Sequence, residues 1–501
     1  MIPPPASPWP TVAELLGDLA GKVHTVSELT EEALACAREH KGLNAFAALH
    51  VHAARARARE LDEHLSSKGA LAGPLHGIPF AIKDNLDEAG VPSAAGSEAY
   101  SSRVPPRDAE VVRRLRGAGA VIIGRTNLHE LADGVTSENR WRGPVRHPLR
   151  PDHHPGGSSG GSAVAVAAGC VPLGLGTDTG GSVRIPASLC GVMGLKPTKG
   201  RIPTEGGIPL STTLDHVGIL ATNVGDLAIA FGALAEPAAP GPRDPVEAQT
   251  GRPLRLGLLP GSAFGLEPDP EVGALLGEAV GRLEAAGHQV IQVVVQGLER
   301  GIALLSAIYP PEAAAWHRER LEACPERFGE EVLRDLRRGL RPGAEEKRSA
   351  ALEEAARLGR HLGECFAAWG LDLLISPTTP HPARPLGSPD PQTYLTYTCP
   401  FNLAGLPALS LPMGLVSGLP AGLQLVGPLG ADEALLAAAR ELPVWPDATA
   451  DRRPGRAGKA RPTGSGQGFA PRPRGGRPRL SLQGRRPVHL GPRRPRKRGA
   501  S

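Results

Sequence analysis

The run His154-Pro155-Gly156-Gly157-Ser158-Ser159-Gly160-Gly161-Ser162 leads directly into Ala163-Val164-Ala165-Val166-Ala167-Ala168-Gly169. Taken alone, a Gly/Ser run reads as a flexible linker. A linker is flanked by polar residues, however, whereas an Ala/Val segment has to be buried. The second reading is therefore that these glycines let the backbone pass close to another part of the fold. A second turn of this kind follows at Gly176-Thr177-Asp178-Thr179-Gly180-Gly181-Ser182-Val183-Arg184. Consecutive glycine N–H groups ahead of a serine are unshielded and can converge on one oxygen, as an oxyanion site requires.

Around these turns, helical and strand patterns alternate. Thr25 and Glu28 form a capping box for a helix through residue 39, and residues 45–65 are rich in Ala, Leu, Arg and Glu, so residues 1–66 read as a helical packing layer. An apolar strand over 77–82 runs into Lys83. Asp108 is placed to cap a helix through 116, which glycines end before a buried strand over 120–123. The pattern returns as a strand over 254–259, a helix over 270–286 and strands over 290–295, 371–375 and 423–426. This predicts an α/β fold: one large α/β/α domain over 1–446, its central mixed sheet covered by helices.

Residues 447–501 differ in kind. They hold 16 Lys and Arg against two acids, a charge of +14, which leaves the body at −9 although the whole chain is at +5. A segment of Arg, Pro, Gly and Ala cannot bury enough apolar surface to offset its ordering entropy, so a disordered basic tail is expected. Its cations imply salt-sensitive, non-specific binding of nucleic acid, but Phe469 is its one aromatic residue and provides no stacking platform. The same composition arises when GC-rich DNA is read out of frame, and both origins stay open.

The six cysteines, Cys36, Cys170, Cys190, Cys324, Cys365 and Cys399, are widely spaced with no C-x-x-C, so neither a disulfide framework nor a zinc site is expected. Met1-Ile2-Pro3-Pro4-Pro5 lacks the features of a signal peptide, and the weakly polar stretch over 163–176 is too short and Gly-rich to cross a bilayer. A soluble cytoplasmic protein without membrane partners is the expectation.

Several chemistries fail on local context. Gly156-Gly157-Ser158-Ser159-Gly160 matches the G-x-S-x-G nucleophile elbow, but Pro151-Asp152-His153-His154-Pro155 before it cannot be a central strand. Neither glycine run continues into Gly-Lys-Ser/Thr, which excludes a P-loop, and His129-Glu130-Leu131-Ala132-Asp133 lacks the second histidine of a zinc protease. His153 and His154 read as a solvated loop, His76 and His216 as satisfied loop histidines, and Lys196 and Lys199 as turn lysines. Lys83 has two readings. Nine of the 56 basic residues are lysine, so surface charge comes mainly from arginine, yet this lysine follows Ile78-Pro79-Phe80-Ala81-Ile82. Burial would leave a neutral amine able to act as a base, and the alternative is a lysine that snorkels from a strand end.

These blocks, in this order and spacing over residues 10–445, resemble the amidase signature family. The likeness is carried by the two glycine turns and by Gly191-Val192-Met193-Gly194-Leu195-Lys196-Pro197-Thr198. Gly77-Ile78-Pro79-Phe80-Ala81-Ile82-Lys83-Asp84-Asn85 and Asn402-Leu403-Ala404-Gly405-Leu406-Pro407-Ala408 extend it. The resemblance implies the family's fold and a Ser–cis-Ser–Lys triad, with Lys83 as base, Ser158 as bridging serine on a cis peptide and Ser182 as nucleophile. It also implies an oxyanion hole from the N–H groups of Thr179, Gly180, Gly181 and Ser182, and a small-molecule amide substrate with no cofactor and no metal. Ser159 and Asp178 are read as hydrogen-bonding within the turns, and Arg184 as pairing with Asp178.

Two members of the family are weighed. Gly124-Arg125-Thr126-Asn127, Ser137-Glu138-Asn139 and residues 402–407 resemble the glutaminase subunit of a glutamyl-tRNA(Gln)/aspartyl-tRNA(Asn) amidotransferase. His129 stands where that subunit has an acid, and Tyr394-Leu395-Thr396-Tyr397 lacks a carboxylate for a glutamine ammonium. A stand-alone amidase is the reading taken. The sequence leaves a homodimer open, and the reading from another class is a nucleic-acid-binding protein acting through the basic tail.

Overall fold

The computed structural model describes residues 9–237 and 251–443, so the expected tail over 447–501 and its boundary at 446 lie outside the described residues. Two capping boxes open the chain. Thr11 and Glu14 cap the helix Val12–Ala20, and Thr25 and Glu28 cap Val26–Glu39, each threonine oxygen accepting from the glutamate N–H while the carboxylate accepts from the threonine N–H.

Eleven strands form one mixed sheet among the described residues. In chain order they are β1 (Phe46–Leu49), β2 (Pro79–Lys83), β3 (Val121–Thr126), β4 (Leu173–Asp178), β5 (Met193–Lys196), β6 (His216–Ala221), β7 (Arg255–Leu258), β8 (Gln289–Gln292), β9 (Leu373–Pro377), β10 (Ala408–Val416) and β11 (Leu419–Val426). Their order across the sheet is β1-β3-β2-β4-β6-β5-β10-β11-β9-β7-β8. Helices pack over the sheet as the alternation requires.

Three local expectations change. Residues 46–49 are a strand rather than the start of a helix, because β3 offers them an antiparallel edge, and the helix begins at Val51. Pairing with a distant partner here outweighs the helical propensity of the alanines. Ala109, not Asp108, is the cap residue of the helix Glu110–Gly117. Asp108 instead accepts from Ala89 N at 2.7 Å and pairs with Arg116 at 3.0 Å. Lys196 is no turn lysine: it ends β5 fully buried, donating to the carbonyls of Leu406 and Pro197, and burial pushes its ammonium down to about 7.

What positions the site is the parallel trio β3-β2-β4. Parallel neighbours end at the same sheet edge, so Lys83 at the end of β2 and Thr177-Asp178 at the end of β4 emerge side by side. The helix Gly160–Ala167 lies in the crossover from β3 to β4 and is buried along its whole length. Its glycines allow that: a Cβ on Gly161 would run into the backbone of Asn127 and Ala45. Among the described residues no helix is long and apolar enough to cross a membrane.

Beside this edge, Arg125 of β3 is enclosed with Asp84. Its Nε donates to Asp84 Oδ1 at 2.6 Å and its Nη2 to Leu86 O and Ser93 Oγ at 2.7 and 2.9 Å. Removing one member of a buried pair leaves the other charge stranded, so Arg125→Ala should cost about 3–5 kcal/mol of stability, read as a fall in the denaturant midpoint. A loss below about 1 kcal/mol would make the pair dispensable.

Candidate active site

Lys83 is completely buried, and three oxygens surround its amine. Nζ lies 2.8 Å from Ser158 Oγ, 2.7 Å from Thr177 Oγ1 and 3.3 Å from Thr177 O. Burial is the main influence on this ammonium. It outweighs the opposing pull of Asp215 and Asp178 and brings the pKa down to about 7, so much of the amine is neutral near pH 7. Of the two readings of Lys83, the snorkelling one is therefore set aside.

Ser158 follows a cis peptide from Gly157, just ahead of the helix Gly160–Ala167. Its carbonyl accepts from His129 N and from Ser137 Oγ, both at 3.2 Å, and Ser137 Oγ in turn accepts from Gly160 N at 3.0 Å. A Cβ on Gly157 would meet Ser137 N at 2.7 Å, so the first glycine turn is the close backbone approach expected of it. The second turn docks on the first: Ser159 N donates to Ser182 O at 3.1 Å, and Ser159 Oγ to Thr177 O at 3.0 Å.

The turn that carries Ser182 is held by Asp178. Its Oδ2 accepts from the N–H groups of Val183 and Arg184 at 3.1 and 3.4 Å, and its carboxylate receives the Arg184 guanidinium at 3.0 and 3.1 Å. Burial alone would raise this carboxyl, but Arg184, Lys196 and Asn402 together hold it below the ordinary range. With Val183 and Arg184 engaged, the amides of Gly180, Gly181 and Ser182 have no protein acceptor among the described residues. Thr179 is fixed through its hydroxyl, which donates to Asp215 Oδ1 at 2.6 Å. Asp215 also accepts from Leu210 N and Ser211 N, and burial pushes it up to about 6.

Thr179, Gly180 and Ser182 open onto a cavity of about 300 Å³. Val135, Leu210, Ile302, Leu305 and Leu395 form its apolar wall, and Asp133, Tyr309, Asp335, Arg334 and Arg338 make it polar elsewhere. Tyr309 Oη donates to Asp335 Oδ2 at 2.6 Å. Asp133 is buried, and desolvation together with the neighbouring Asp335 charge raises its carboxyl well above the usual range.

Lys83 and Ser158 are hydrogen-bonded, Ser182 is docked beside them through its carbonyl, and Thr179 and Gly180 share its cavity. Thr177, Ser137 and Asp215 were not singled out for the site by their sequence context. The first two lie inside quoted blocks, but nothing local marks Asp215, whose role comes from tertiary contact. Two histidine expectations also change. His154 is buried, accepting from Gly156 N at 3.2 Å and meeting Tyr394 edge-on, and His216 sits inside β6 rather than on a loop.

The model of the Amidase family matches residues 28–436, and the chain belongs to that family. Among curated proteins it is similar to the A subunit of glutamyl-tRNA(Gln) amidotransferase from Deinococcus radiodurans, 36% identical over 472 residues, covering 86% of this chain and 96% of that protein. The protein of the same description from Thermus thermophilus is 39% identical over 403 residues, covering 73% and 84%. Among solved structures, a crystal structure of an amidase superposes with a TM-score of 0.79 at 37% identity, covering 86% of this chain and 98% of that one. The peptide amidase of Stenotrophomonas maltophilia gives 0.76 at 31% identity, covering 86% and 95%.

Gly181 has a φ of +141°, and a Cβ there would strike the Thr398 hydroxyl and approach Ile185 Cδ1 at 2.8 Å. Gly181→Ala should therefore shift the turn that bears Ser182. The expected result is a folded protein whose fluorophosphonate labelling is slowed by about 100-fold, the scale of a 1 Å misplacement. Labelling at the wild-type rate would mean the turn tolerates the methyl group.

Proposed function

We propose that this protein hydrolyses a small carboxylic amide to the acid and ammonia or an amine, through an acyl-enzyme on Ser182. The observation that carries this reading is a fully buried Lys83 amine 2.8 Å from Ser158 Oγ, with its pKa brought down to about 7. In the proposed cycle, Ser182 attacks the amide carbonyl as its proton passes to Ser158 and the Ser158 proton passes to Lys83. The amides of residues 179–182 receive the oxyanion. The Lys83 ammonium then returns its proton through Ser158 to the leaving nitrogen, and water enters by the same relay to release the acid.

The stand-alone amidase reading is supported by solved amidases that match nearly their full length to this chain. A second reading, the glutaminase subunit of a tRNA-dependent amidotransferase, is favoured by the curated relatives and by the cavity, which presents the Asp335 carboxylate and the Arg334 and Arg338 guanidiniums to a zwitterionic substrate. Ammonia release from aliphatic, aryl and glutamine amides by the isolated protein separates the two, since the second reading requires glutamine to stand out.

The roles assigned here give a joint expectation. Ser182→Ala should abolish both hydrolysis and fluorophosphonate labelling measured by intact mass, and labelling that persists at Ser158 would reverse the two serines. The neutral amine is the active form, so turnover should fall about tenfold per pH unit below about 7 and level off above it. Lys83→Arg should be inactive, because guanidinium does not deprotonate in this range. A near-active Lys83→Arg variant would sink the relay.

The basic tail is proposed to stand outside this chemistry. Truncation after Pro446 should leave turnover nearly unchanged and remove any salt-sensitive retention on nucleic acid. Lost turnover at an unchanged fold would place the tail within the enzyme and move the proposed domain boundary.

A further inference from the structure

Away from the Ser182 cavity, folding brings a distant cysteine to a cysteine–histidine pair on one helix face. Cys36 lies in the last turn of the helix Val26–Glu39 and His40 caps that helix, four residues on and so on the same face. Cys170 comes from beyond the helix Gly160–Ala167. Cys36 Sγ is 3.4 Å from Cys170 Sγ and 3.4 Å from His40 Nδ1, and all three ligand atoms lie within 4.8 Å of one another.

A tetrahedral zinc ion, with Zn–S of about 2.3 Å and Zn–N of about 2.0–2.1 Å, sets S···S edges at about 3.8 Å and S···N edges at about 3.6 Å. The two Cys36 contacts are slightly shorter than those edges and the third, between His40 and Cys170, is at most 4.8 Å, so small side-chain adjustments bring all three onto one ion. Two thiolates and an imidazole favour zinc over magnesium or calcium, which take oxygen ligands. Cys36 and His40 are partly exposed, which gives the ion an entry path and a water for the fourth position. His40 Nδ1 also lies 3.1 Å from Cys36 O, a contact that binding would exchange for the metal.

We propose that Cys36, His40 and Cys170 form a zinc-binding site that clamps the helix Val26–Glu39 to the turn behind the helix Gly160–Ala167. The site is separate from the proposed triad, which lies at the other end of that second helix, and no step of hydrolysis passes through the metal. Because both thiols must lose their protons, uptake should weaken as pH falls.

The test uses the full chain, reduced and freed of metal, with Zn²⁺ alone as ligand in equilibrium dialysis and Co²⁺ as a spectroscopic probe. The expectation is one equivalent of Zn²⁺, thiolate-to-cobalt charge-transfer absorption, and protection of Cys36 and Cys170 from alkylation as mapped by peptide mass. Cys36→Ser and Cys170→Ser should each weaken uptake by roughly 100-fold or more, exceeding the usual cost of losing an outer-shell partner, while Cys324→Ser should leave it unchanged. The alkylation map needs no variant, so a serine variant that fails to fold does not blunt the test. The proposal is overturned if the reduced wild type takes up no stoichiometric zinc, or if zinc binds without protecting Cys36 and Cys170. A chain that forms a Cys36–Cys170 disulfide on oxidation but binds no zinc when reduced would overturn it too.

Discussion

Arg184 has no exposed surface, and its polar contacts tie together three separate parts of the chain. It meets Asp178 at the end of β4, the Asn402 side chain at 2.5 Å, the Thr398 carbonyl at 3.0 Å and Gln424 of β11 at 2.7 Å. A guanidinium withdrawn from water requires partners for its donors, and here they come from two strands and from the short helix Cys399–Leu403 with its cap residue Thr398. The turn that bears Ser182 hangs from this cluster, because Asp178 uses one carboxylate oxygen both to pair with Arg184 and to accept the amides that follow Ser182. Asn402 closes the ring by donating to the backbone and side chain of Asp178 at 2.9 and 2.8 Å.

The same economy governs Lys83. The parallel register of β2 on β4, from Phe80 against Leu173 to Ile82 against Leu175, brings the last residue of β2 alongside the end of β4, where the Thr177 hydroxyl receives both the Lys83 amine and Asn85 Nδ2. The enclosure that neutralises the amine is therefore a property of sheet register. A one-residue slip would turn the lysine to the opposite face.

Much of this was legible because it depends on local residue type. Glycine turns entering an apolar segment announce close backbone approach, whereas a lysine after five apolar or turn residues left burial and snorkelling both open until the fold enclosed it. The helix-strand alternation carried the fold class. What stayed hidden depends on partners far away in the chain. Residues 46–49 look helical until β3 supplies an edge, and Asp215 looks like any loop aspartate until the Thr179 hydroxyl reaches it. Cys36 and Cys170 gave no motif because the segments that carry them meet only through tertiary packing. The strands β4, β5, β6 and β10 were not read from the sequence either: glycine or proline interrupts each or its run is brief, and the sheet, not periodicity, defines them.

The Arg184 cluster also bears on the order in which the molecule can be made. Lys83, Ser158 and Ser182 all lie in the first half of the chain, but Asn402 and Gln424, which complete the shell around Arg184, come near the end of the described residues. A nascent chain leaving the ribosome N-terminus first holds these three side chains long before it holds the groups that complete the cluster beside them. Until β11 arrives, Arg184 lacks its Gln424 partner, and the growing protein carries the Ser182 turn before the shell that anchors it is closed.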